Sequence, residues 1–200
     1  VVYTAGSNKL THLGFKAIPE IFSTRTFYNN DGTGHSYRPV AAASFAIEIQ
    51  FFGENPHVSH FISVLIYAIT VLVLYYTLLR LLNYRERLYA FVVCLLFLLH
   101  PLHTEVVANI KCRDELLALL FGLSSLLLTL KYLETKRVMH LVGVGAFFWL
   151  APLAKSSALP FFALIPFALW YFKKCSWKEL MVVMIPVVVA MLAAGLIVKL

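Results

Sequence analysis

Residues 100–117, HPLHTEVVANIKCRDELL, set two histidines, a glutamate, a lysine, an arginine and an Asp-Glu pair between two strongly apolar runs. An ionisable side chain at the centre of a bilayer costs about 2.5–3.5 kcal/mol or more. So dense a cluster beside apolar runs therefore belongs at an interface or in a lined cavity, and residues 100–115 become the candidate functional site. Glu105, Asn109 and Arg113 are spaced four apart, which on one helix stacks them on one face; Asp114 is adjacent, with Lys111 three residues before it. Acid, amide and cation together could orient a polar acceptor and hold an anionic leaving group, or could neutralise one another and merely fix the helices. His100 and His103, three apart and followed by Glu105, invite a zinc reading. Glu105 lies about 200° around a helix from His103 at 100° per residue, however, and no closed ligand set such as H-E-x-x-H is present. No metal ligands are assigned.

Two further cations stand at chain turns. Arg38, in Tyr37-Arg38-Pro39, offers the planar fork that suits a phosphate through bidentate, charge-assisted bonds, although a solvated arginine is the plainer alternative. Lys155, within LAKSSALP at 153–160, lies between two short apolar runs; it could snorkel to the interface or help bind a lipid phosphate. Ser156 and Ser157 lack the neighbouring base that would activate either as a nucleophile.

The elements that must position these groups are read from the apolar pattern. The chain is 60% hydrophobic and 14% charged, with a mean hydropathy of +0.80, far above a soluble domain. Apolar runs near 58–79, 88–100, 116–130, 138–154, 158–172 and 180–198 predict an all-α polytopic membrane bundle of about six spans, some shorter than the roughly 20 residues of a straight span and so broken or tilted. Residues 57–200 form this bundle, and residues 1–56 form an extracytoplasmic loop. In that loop Phe15, Ile18, Ile21 and Phe22 recur at helical spacing, as in an interfacial amphipathic helix. Residues 40–52 predict a second such helix, closed by Gly53, Asn55 and Pro56, and Asn29-Asn30-Asp31-Gly32 with Gly34 supply turn signals. The first residue is not Met and the last apolar run ends at Leu200, which reads as a piece of a longer chain.

Charge sets the expected orientation. The connections around 80–87, 131–137 and 173–178 hold nine Lys or Arg against three acids, and everything else holds eight against seven. By the positive-inside rule the three basic connections are cytoplasmic, which places residues 1–56, the 100–115 cluster and the 155–157 turn outside. The basic balance is thus a topology signal and gives no reason to expect a nucleic-acid partner. Cys94, Cys112 and Cys175 fall at different depths, so no disulfide framework follows.

With these pieces in order along the chain, the sequence resembles the GT-C class of polytopic glycosyltransferases, particularly the transmembrane and TPR-containing O-mannosyltransferases and their bacterial relatives. Tyr37-Arg38-Pro39, Asn55-Pro56-His57, HPLHTEVVANIKCRDELL and LAKSSALP carry the likeness. The resemblance implies a membrane enzyme that moves a sugar from a polyprenyl-phosphate donor to a hydroxyl of a protein or glycan acceptor, in a bacterial inner membrane, with no certain cofactor and a divalent metal left open. It implies that Arg38, Arg113 and Lys155 face the departing phosphate, that His100, His103, Asn109, Glu105 and Asp114 shape the sugar and acceptor site, and that the acidic base precedes Val1. Many relatives carry Lys-Glu where this chain has Lys155-Ser156. The competing class is a transporter or lipid-binding membrane subunit, since short broken helices also build transporter sites.

Overall fold

In the computed structural model of the chain, residues 10–23, 27–28 and 34–199 are described; the Asn29–Gly32 turn signals and the residues before Leu10 lie outside that set. A 3-10 segment, Thr11–Ala17, bends at Gly14 and runs into the short helix α1, Ile18–Ser23. Two brief antiparallel strands follow, β1 (Phe27–Tyr28) and β2 (Gly34–Ser36). The second expected helix is α2, Pro39–Phe52, which starts on a proline at its first turn and ends at Gly53, whose φ of 64° suits glycine. It does more than lie on an interface. Ala42 and Ala46 pack with Ala17 and Ile21, while Phe45 and Glu48 are buried.

The apolar runs become helices α3 (Pro56–Leu81), α4 (Arg87–Leu99), α5 (Pro101–Ala108), α6 (Arg113–Thr135), α7 (Val138–Ala154), α8 (Phe161–Ala168, continued by a π segment to Lys173) and α9 (Trp177–Lys199). Four helical segments are each long and apolar enough to cross a membrane, and α4 with α5, bent by 60°, would be a fifth. Helix α7, at 17 residues, is short for a straight span, yet it carries the chain from the Lys136–Glu179 end to the Lys155–Asp114 end, in keeping with about six passes.

Helix α6 is central, against α3 on one side and α7 on the other, with α9 on the far side of α7. The main core joins Leu123, Leu126 and Leu130 of α6 to Val144 and Phe148 of α7, Phe161 and Ile165 of α8, and Val183 and Val187 of α9. Small and hydroxylated residues permit close approach. Ser63, Thr70 and Thr77 of α3 recur every seventh residue and return their hydroxyl hydrogens to carbonyls four residues back, at 2.7–3.1 Å, so this buried seam leaves no hydroxyl unsatisfied. Ser125 of α6 donates to the Val144 carbonyl across the α6–α7 contact at 3.1 Å. Outward faces carry Phe61, Leu72, Leu96 and Ile185, all exposed, as lipid contact requires.

The three basic connections converge at one end. Arg80 pairs with Glu134, Lys136 with Glu179 at 2.5 Å, and Lys173 donates to the Arg80 carbonyl at 2.5 Å and to Asn83.

Candidate functional site

His100 has the extended backbone (ψ 125°) that a residue before proline adopts, and its ring accepts from the Leu102 amide at 3.3 Å, capping α5. The chain turns here, so the last carbonyls of α4 lack helical partners. Tyr67 and His103 supply them. The Tyr67 hydroxyl lies 3.1 Å from the Phe97 carbonyl and 3.2 Å from that of Leu98. His103 Nδ1 lies 2.6 Å from the Phe97 carbonyl and 3.1 Å from the Tyr67 hydroxyl. A carbonyl only accepts, so Nδ1 carries a hydrogen and donates it to Phe97.

Helix α5 stops at Ala108. Asn109 is extended (φ −89°, ψ 107°) and its side chain accepts from the Lys111 amide at 3.1 Å, capping a 3-10 turn, Ile110–Cys112, that leads into α6. Glu105, Asn109 and Arg113 therefore do not share a helical face as their spacing suggests: the Asn109 carboxamide competes for the backbone and breaks the helix. Glu105 is exposed on α5, and Asn109 serves as a cap.

The first turn of α6 separates its charges. The Arg113 side chain is 0% exposed. It donates to the Ser59 carbonyl at 2.9 Å, lies 2.7 Å from Glu48 Oε2 without hydrogen-bond alignment, and stacks 4.0 Å over the Phe45 ring. Ser59 in turn donates to Glu48. A guanidinium so enclosed is committed to the protein interior, and its surroundings do not support the substrate-phosphate role that the resemblance implies for it.

Asp114 points elsewhere. Its side chain, 2% exposed, pairs with Arg38 and lies 3.7 Å from Lys155. Lys155 also pairs with Glu115, whose other oxygen accepts from the Ser157 hydroxyl at 2.9 Å. Arg38 comes from the cap of α2 and Lys155 from that of α7, so three elements meet on one carboxylate. Both cations remain about a quarter exposed, at 24% and 23%. Asp114 and Glu115 occupy the N-terminal turn of α6, where the helix dipole favours negative charge. The result is a buried anion holding two cations at an accessible surface.

A cavity of about 320 Å³ adjoins this network, lined by Tyr67, Phe97, His103, Glu115, Ser157 and Phe161 among others. A second, of about 380 Å³, lies across the Tyr67–His103 pair and is bordered by His60 and Thr104. Their walls are mainly apolar with a few polar groups, the usual makeup of a small-molecule site. Among the described residues, no three His, Cys, Asp or Glu side chains come together as a metal would need.

The sequence pattern that defines the dolichyl-phosphate-mannose-protein mannosyltransferase family matches residues 35–198. The chain belongs to this family. Among curated relatives, it is 37% identical to mouse (Mus musculus) protein O-mannosyl-transferase TMTC1 over 136 residues, 68% of this chain and 13% of that protein. It is 35% identical to human (Homo sapiens) protein O-mannosyl-transferase TMTC2 over 127 residues, 60% of this chain and 15% of that protein. Protein O-mannosyl-transferase F38B6.6 of Caenorhabditis elegans is 32% identical over 124 residues, 58% of this chain and 17% of that protein. The chain thus spans about 13–17% of the length of these relatives. No solved structure matches it.

All eight predicted site residues of this mannosyltransferase-family member fall in the matched segment. The structure brings Arg38, Asp114 and Lys155 together, sets His103 in the adjoining cavity wall, and leaves Glu105 and Asn109 outside the charge network and Arg113 sealed beside it. Sequence reasoning missed Glu48 and Tyr67, and it gave Glu115 no role of its own within the 100–115 cluster. The signal for Glu48 was legible: it is the lone acid in VAAASFAIEIQFF, and a buried carboxylate requires a partner.

Proposed function

We propose that this family member transfers mannose from a polyprenyl-phosphate donor to a hydroxyl of a protein or glycan acceptor at the extracytoplasmic face of its membrane. The observation that carries the reading is the pair of partly exposed cations, Arg38 and Lys155, held on buried Asp114, with Lys155 also paired to Glu115 in the wall of an apolar cavity. A lipid-linked sugar phosphate has the matching chemistry, an apolar chain joined to a charged leaving group. The acceptor oxygen forms a bond to the sugar C1 from the side opposite the phosphate, the C1–O bond to phosphate breaks, and polyprenyl phosphate departs. The cations stabilise the charge that grows on that phosphate, the largest electrostatic demand of the step. A carboxylate accepts the hydroxyl proton; Asp114 and Glu115 are both engaged by cations, which favours the acidic residue that the resemblance places ahead of Val1.

The relatives, all named as O-mannosyl-transferases, support mannose as the sugar. Those relatives are animal proteins, so a bacterial inner membrane draws no support from them. Residues 1–56 are read as belonging to that outer face. The family match over residues 35–198 weighs against the transporter alternative.

The test is sugar transfer by the full-length protein in lipid nanodiscs from polyprenyl-phosphate mannose. Arg38→Gln and Lys155→Met, checked for folding by monodisperse elution, are each expected to lower transfer by about 10²–10³, the loss seen when one donor to a developing oxyanion is removed. Transfer at the wild-type rate in both variants would refute the assignment.

A further inference from the structure

The end of the bundle opposite Asp114 carries a surface that sugar transfer does not use. Three contacts tie the basic connections into one unit: Arg80 with Glu134 joins the first to the second, Lys136 with Glu179 the second to the third, and Lys173 with Asn83 and the Arg80 carbonyl the third to the first. Two of the three acids at this end are consumed in those contacts. The third, Glu86, stands at the start of α4. Arg85, Arg87, Arg137, Lys174 and Lys178 are all exposed, and among the described residues their side chains make no hydrogen bond or ion pair. The connections turn sharply beside them, with left-handed backbone at Asn83, Tyr84, Lys136 and Lys174, so the cations project from short loops instead of long flexible segments.

Aromatic side chains stand at the same end. Tyr84, Tyr89, Trp170, Tyr171 and Trp177 are exposed, Trp177 at 75%. Tyr and Trp concentrate at the headgroup level of a bilayer, which fixes the depth of the cations beside them. An excess of basic residues alone sets orientation during insertion. Cross-tied loops that spend two of their three acids internally and leave five exposed cations unpaired at headgroup depth go further, because they present a fixed, net cationic surface to lipid phosphates.

We propose that this end binds anionic phospholipid headgroups of the adjoining leaflet, with Arg85, Arg87, Lys174 and Lys178 as the main contacts. Arginine supplies forked hydrogen bonds to phosphate and lysine a point charge. Each basic side chain at an anionic membrane surface contributes about a fivefold preference.

The experiment uses the full chain in nanodiscs of phosphatidylcholine with or without phosphatidylserine, with retained lipid counted by native mass spectrometry after partial delipidation. Wild-type protein is expected to retain phosphatidylserine over phosphatidylcholine, and to lose that preference as salt shortens the Debye length from about 10 Å at 0.1 M to 3 Å at 1 M. Arg85→Gln with Arg87→Gln, Lys174→Gln and Lys178→Gln should reduce retention at least tenfold. A milder pair, Arg85→Gln with Lys178→Gln, spares every loop tie and serves if the fourfold variant does not fold. Neutralising Lys111 at the other end should change nothing. Equal retention of the two lipids by wild type overturns the proposal, as does undiminished preference in both variants, or binding of soluble polyglutamate without any preference for phosphatidylserine.

Discussion

Replacement of Glu48 by glutamine tests the buried pair behind the site. Glu48 is 4% exposed and faces a guanidinium with no route to water, and Gln has nearly the same volume, so the change removes charge and leaves packing almost intact. Arg113 would keep its hydrogen bond to the Ser59 carbonyl and its stacking on Phe45, but its charge would have no counterion. Breaking a buried pair from one side costs about 3–5 kcal/mol, most of it from the stranded charge. For a chain of 200 residues, about 2–4 °C of melting temperature is lost per kcal/mol, so Glu48→Gln should melt roughly 6–20 °C below wild type in matched nanodiscs. Adding Arg113→Met removes the stranded charge, and the double variant should recover most of the loss, because an apolar replacement of a whole buried pair is often neutral or better. A single variant that melts within about 2 °C of wild type, or a double variant no better than the single, would show that the pair is not closed off as its geometry indicates.

Gly122→Ala would place a methyl 2.6 Å from two ring carbons of Phe161. Overpacking of about 1–3 kcal/mol should outweigh the roughly 1 kcal/mol gained in helix propensity, lowering the melting temperature, and Phe161→Leu should restore it; a stabilised Gly122→Ala would contradict this. Tyr67→Phe removes the hydroxyl beside the last α4 carbonyls. It should cost about 1–3 kcal/mol and speed amide exchange around His100, which hydrogen-exchange mass spectrometry would read; unchanged exchange there would mean that His103 alone holds the bend.

The helices were legible because burial in lipid leaves a plain mark: each apolar run of the sequence became a helix within a few residues of its expected limits. The convergence of the basic connections also follows from charge alone, since alternating spans must return them to one end. The bend at Pro101 was visible as a residue type but not as an angle, because the 60° turn depends on Tyr67 and His103 satisfying the freed carbonyls. Spacing misled at Glu105, Asn109 and Arg113. A fourfold period is a helix signal only if the backbone stays helical, and Asn109 is among the residues whose side chains offer the backbone another partner.

Arg113 and Asp114 show why the charge network itself was beyond reach of spacing. They are neighbours in sequence, yet a helix turns successive side chains by about 100°. One enters the protein toward Glu48 and the other faces Arg38 and Lys155. Both first partners come from α2 or its cap, with opposite signs: a cation at 38 meets the anion at 114, and an anion at 48 meets the cation at 113. Sliding α2 by one turn, about 5.4 Å, would strand a buried charge at each contact, so the crossed pairs fix the register of α2 against α6 more strictly than its alanine-rich packing face does. That register delivers Arg38 to Asp114, and Asp114 then holds Arg38 beside Lys155, the partner of Glu115 in the cavity wall. On this reasoning Glu48 and Arg113 serve the site from inside the protein, without touching whatever it binds.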